Sequence, residues 1–116
     1  MRTNTLVLDQ ARARLAQQAA AYAFGVPVEE ISSPTRGRAR AALARQAAIY
    51  LTHVAFELSL NRVADAFGRD RSTAAHACHR IEDARDDPAF DAAMEDLEAC
   101  LRSAPGPDLI PFGMTQ

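Results

Sequence analysis

Apolar positions along the chain recur at the three-and-four spacing of helices, and no stretch alternates as a strand would. Leu8, Leu15, Ala19, Tyr22 and Ala23 form a first apolar stripe. It predicts a helix capped by Asn4 or Thr5 and running to Phe24, with Gly25 placed for a left-handed end. Residues 26–31 predict a short second helix, because Pro27 falls near its first turn, where a missing N–H is harmless. Residues 32–38 are polar, basic and broken by Pro34 and Gly37, which predicts a loop.

Leu43, Ala47, Tyr50, Leu51, Val54 and Leu58 repeat as a core face should and predict a long helix over residues 40–57. Ser59 is placed to cap a helix over residues 60–67, which Gly68 ends. Asp70 is placed to cap a helix over residues 71–86, its carboxylate accepting from the free N–H groups of the first turn. Asp87 and Pro88 start a last helix that runs to Arg102 and carries Phe90, Met94, Leu97 and Leu101 on one face. The pattern predicts one all-α domain of about six helices over residues 1–103, followed by a flexible tail over residues 104–116.

Composition supports that reading. The chain has 116 residues, enough for one domain and too few for separate catalytic and binding domains. It holds 25 alanines, the residue with the best helix propensity. All 13 basic residues are arginine. The lack of lysine excludes a P-loop ATPase and Schiff-base catalysis. Cys78 and Cys100 make no disulfide framework and are expected as buried, reduced thiols. No apolar run reaches the ~18 residues of a membrane span or forms a signal peptide, so a cytoplasmic protein is expected.

The formal charge of -2 hides an asymmetry. Residues 36–80 carry eight arginines against three acids, a local +5, while residues 81–116 carry two arginines against nine acids, a local -7. A polyanion meets the local field, not the total.

Residues 60–79 carry the sharpest signal. Val63, Ala64, Phe67, Ala74 and Ala77 stand where a helix-turn-helix packs inside, and Gly68 supplies the turn. The second helix then offers Asp70, Arg71, Ser72 and Thr73 outward. Its first turn is what meets base edges in a major groove. Arg71 suits guanine O6 and N7, Asp70 suits cytosine N4, and Ser72 suits either donor or acceptor. Thr73 and His76 lie one turn apart, as a phosphate grip requires. The bland alternative is a helical hairpin with a polar outer face.

The string Gly68, Arg69, Asp70, Arg71, Ser72, Thr73, Ala74, Ala75, His76, Ala77 resembles the signature of the DNA-binding C-terminal domain of the bacterial replication initiator DnaA. Flanking stretches at 44–51, 58–60, 65–68 and 77–82 extend the resemblance to roughly residues 10–102. It implies six helices of the Trp-repressor type around a central helix-turn-helix. It implies base reading by Asp70 and phosphate or base-proximal contacts by Thr73 and His76. The family's basic loop sends an arginine into the minor groove, which implicates Arg36, Arg38 and Arg40 without choosing among them. Arg45 matches a usual arginine of the long helix. His53 stands where the family often has a phosphate-contacting lysine. Arg71 and Ser72 replace a histidine and a threonine, and Gly68 stands alone where the family often has two glycines. These departures shorten the turn and put preference for the standard initiator box in question.

The resemblance covers only the initiator's DNA reader; the ATPase domain that precedes it in the family has no room here, and the start at Met1 suits a complete small protein. His76, Cys78 and His79 do not make the four-ligand set of a structural metal site. No catalytic residues, metal or cofactor are expected. The leading reading is a nucleoid-associated, sequence-preferring duplex DNA-binding protein that regulates replication initiation or transcription. Its rival is a protein-interaction regulator with weak DNA affinity, binding the full-length initiator or its regulatory ATPase.

Overall fold

The computed structural model describes residues 2–32 and 39–106. Among the described residues the chain forms six helices and no strand. They are α1 (Arg2–Phe24), α2 (Val28–Ser32), α3 (Ala39–Ala55), α4 (Leu60–Phe67), α5 (Arg71–Ala84) and α6 (Pro88–Arg102). Helix α3 is the axis of the domain. Nine of its 17 residues are buried, and α1, α4, α5 and α6 all pack on it.

One core gathers Leu51, Tyr50, Ile81, Met94 and Leu101 from α3, α5 and α6. A second joins Ile49 and Leu58 to Val63, Ala64, Ala74 and Ala77 and so seats the helix-turn-helix. A third is largely alanine: Ala20, Ala21, Ala44 and Ala48, with Ile31. Small side chains there let α1 and α3 approach closely.

Helix ends follow their local chemistry. Ser59 Oγ accepts from the Arg62 N–H at 3.2 Å, and Asp87 Oδ2 accepts from the Phe90 N–H at 2.9 Å, so both expected caps form. Gly25 and Gly68 are left-handed, at φ 67° and 65°. At the second, Gly68 N–H donates to Asp65 O at 3.2 Å and Arg69 N–H to Ala64 O at 2.9 Å, satisfying two end carbonyls of α4.

Several boundaries differ from expectation. Helix α1 begins at Arg2 rather than after a cap at Asn4 or Thr5, since no glycine or proline interrupts it before Gly25. Helix α2 begins at Val28, and Pro27 precedes it, its carbonyl accepting from Glu30 N–H at 3.0 Å. Helix α3 stops at Ala55, because Glu57 turns left-handed at φ 57° and Leu58 N–H closes on His53 O at 3.2 Å. Helix α5 stops at Ala84. Asp86 and Asp87 N–H donate three residues back, to Asp83 and Ala84 O at 3.1 Å each, tightening the last turn before Pro88.

The inner face of α1 also differs. Tyr22 is 89% exposed and Ala23 is exposed, while Asp9, Ala13, Ala16 and Ala20 are buried. Along the same face runs a bond that apolar periodicity does not see: buried Asp9 accepts from both Nε and Nη2 of Arg62 on α4, at 2.9 and 2.8 Å. Cys100 is exposed rather than buried, because it faces away from Met94 and Leu101 on α6.

Candidate nucleic-acid interface

Helices α4 and α5 meet through Val63, Ala64, Ala74 and Ala77, all nearly inaccessible, with Phe67 half-buried beside them. This packing fixes α5 and leaves its first turn outside. Asp70, Arg71 and Ser72 are exposed there. Asp70 occupies the N-cap backbone position at φ -72° and ψ 154°, yet its side chain makes no cap bond. The expected carboxylate cap is therefore absent, and the exposed carboxylate stays directed to solvent. It lies where the positive end of the helix dipole stabilises it.

Beside this turn lies a recess of about 160 Å³ between α3 and α5. Arg45, Thr73 and His76, expected from sequence to share a role, all line it. Two further polar residues join them, Gln46 and Arg69. Arg69 lies in the signature string and Gln46 follows Arg45, but only the crossing of α3 with the turn brings them together. Gln46 Oε1 is buried and has no hydrogen-bond partner among the described residues. A buried amide oxygen without a partner is costly in a closed site and is tolerated where a ligand or water completes it.

Arg45 has a structural duty as well. Its Nε donates to Ile31 O at 2.9 Å and its Nη2 to Glu30 O at 2.7 Å, so it satisfies carbonyls at the end of α2. Burial lowers its pKa, and the positive charge of Arg69 lowers it further. Two arginines facing one recess suit an anion.

The other expected residues divide. Arg40 is exposed and donates Nη1 to Phe24 O at 3.1 Å, closing the end of α1. His53 lies two turns beyond Gln46 on α3, half-buried. Its Nδ1 is 2.6 Å from Leu58 O. A carbonyl only accepts, so Nδ1 carries the proton and Nε2 remains for an outside partner. Arg36 and Arg38 lie outside the described residues. Cys78 is buried, and burial, with Glu82 adding, pushes its thiol up to about 11. Among the described residues no three His, Cys, Asp or Glu side chains form a metal-type group, and no helix is long and apolar enough to cross a membrane.

A family profile of the bacterial DnaA protein helix-turn-helix matches residues 14–81, more than half of the chain. The chain belongs to this family. The match takes in α2 to α4 whole, the second half of α1 and most of α5, and so holds every residue of the recess. A crystal structure of a DNA replication initiation factor superposes on the DnaA-type domain with a TM-score of 0.69 at 28% identity, over 81% of this chain. The superposition spans 29% of that protein, so the chain corresponds to less than a third of its length. Among curated proteins none matches the chain. The all-helical, six-helix architecture is the one the resemblance implied.

Proposed function

We propose that this DnaA-type domain binds duplex DNA with sequence preference and acts in the control of replication initiation or of transcription. One observation carries the reading most: Arg45, Arg69, Thr73 and His76, from two helices and the turn between α4 and α5, line one recess beside the exposed first turn of α5. In this reading α5 enters the major groove. Asp70, Arg71 and Ser72 meet base edges, and the recess grips a backbone phosphate next to them. Arg40 holds the border of the basic segment in place, while Arg36 and Arg38 supply the reach toward the adjacent minor groove. His53 is the weakest of these contacts: with its Nδ1 proton on Leu58 O, a neutral ring leaves Nε2 an acceptor, and only an imidazolium donates to phosphate from it. The chain does this without bound cofactor, in the nucleoid.

The test is selection of bound sequences from random duplexes. The winner and a scrambled duplex are then titrated at several salt concentrations. An enriched motif bound more tightly than its scramble is expected. Equal binding to both would end the claim of sequence preference.

A second reading has one observation in its favour. Arg40 and Arg45 each spend donors on helix ends of their own domain, which leaves less cation for DNA. On that reading the domain contacts the full-length initiator or its regulatory ATPase. Tight DNA binding with no effect of either added protein would count against it.

A further inference from the structure

A second concavity lies at the opposite end of α3. It is a trough of about 390 Å³ between α1, the end of α3 and the end of α6. Leu15, Ala55, Phe56 and Leu101 form its apolar floor, and Arg14 and Arg102 stand on its rim. Ala55 is nine residues beyond Gln46, about 13 Å along the helix axis, so the trough lies away from the recess. Its volume is that of a binding site rather than of a packing defect.

The rim is basic. Arg102 is held by Val54 O at 3.2 Å and by Glu98 at 3.5 Å. Arg14 is exposed and has no hydrogen bond or ion pair among the described residues. The far wall is made by Ala104, Pro105 and Gly106, so the chain leaves the described domain from the trough itself.

The segment beyond Gly106 matches the trough in chemistry. Residues 107–116 contain Leu109, Ile110, Phe112 and Met114, one acid (Asp108) and no arginine. Ten residues reach about 33 Å when extended, ample to run along a site that begins at their root. Tethering also keeps the segment at a high effective concentration. We propose that residues 107–116 dock in this trough, with the apolar side chains on its floor and Asp108 toward Arg14. The docked segment covers apolar surface that α1, α3 and α6 leave open. This proposal does not depend on the DNA reading.

The test uses the full chain with a nitroxide on Met114→Cys in a Cys100→Ser background; buried Cys78 stays unlabelled. Amide NMR signals of Leu15, Ala55 and Phe56 are expected to lose most of their intensity, while those of Arg71 and Ser72 keep theirs. Changing Leu109→Ser with Phe112→Ser should restore the signals. Arg14→Glu, a surface change, should restore them in part, and Arg14→Glu with Asp108→Arg should bring the loss back. No loss at the trough, an even loss over the surface, or loss that survives these changes overturns the proposal. So does a loss seen only when labelled and unlabelled copies are mixed, which would put a second copy in the trough.

Discussion

Arg62 on α4 grips Asp9 on α1 through two donors, Nε at 2.9 Å and Nη2 at 2.8 Å, across 53 residues of sequence. The carboxylate is almost wholly buried, while 45% of the arginine side chain remains accessible. The asymmetry gives a directional prediction. Arg62→Ala leaves the buried carboxylate with Arg12, at 3.3 Å, as its remaining cation among the described residues. Breaking a buried pair from one side costs about 3 kcal/mol, and solvent at the arginine cuts this to about 2. Asp9→Ala should cost less, because the freed guanidinium can turn to water. Urea unfolding of both variants and of the double variant checks the order. Equal losses would deny the pair this role.

Two of the three left-handed helix ends among the described residues predict opposite responses. Gly68→Ala places a Cβ at φ 65° with nothing within 4 Å, so the loss is one of backbone conformation alone, about 1 kcal/mol. Glu57 already holds φ 57° as a non-glycine. Glu57→Gly should therefore stabilise the domain, by about 0.5 kcal/mol after the entropy of the unfolded glycine is counted. Thermal melts of the two variants should shift in opposite directions.

The DNA reading predicts two distinct kinds of mutant. Arg69→Ala removes a cation of the recess and should weaken binding to all duplexes, flattening the salt slope by about one unit. Arg71→Ala should cost about 1–3 kcal/mol on the selected site and little on scrambled DNA. Fluorescence anisotropy at a series of salt concentrations separates them. A uniform loss from Arg71→Ala would move that residue from base reading to phosphate contact.

The two cysteines should differ sharply in reactivity. Cys100 is exposed, whereas Cys78 is buried and its thiol is pushed up from 9.0 to about 11. A thiol-specific reagent at about pH 8 should modify Cys100 quickly and Cys78 only on unfolding. The same shift sets a pH dependence. A thiol whose pKa is raised by folding ionises first in the unfolded chain. Its contribution to stability is intact below about 9 and is lost as pH rises to about 11. Cys78→Ala should remove that part of the alkaline slope.

Local chemistry made most of the fold legible in the sequence. The six helices, the Ser59 and Asp87 caps and the left-handed glycines at 25 and 68 arise from side chains and backbones a few residues apart. The inner positions of the helix-turn-helix were legible for the same reason: a helix repeats its face every three or four residues. The exposure of Asp70, Arg71 and Ser72 is dictated by where that face must point.

Only the tertiary structure decided the rest, because it depends on partners distant in the chain. The face that α1 buries runs through Asp9, Ala13, Ala16 and Ala20, with Asp9 matched by distant Arg62, so Tyr22 lies outside although the apolar pattern places it inside. Arg40 and Arg45 look free in sequence but are drawn onto carbonyls 14 to 16 residues away. Arg69 and Gln46 join Arg45, Thr73 and His76 only because α3 crosses the turn before α5. Periodicity reports which side of a helix is apolar. It carries no information on which distant charge a buried carboxylate or a helix end will recruit.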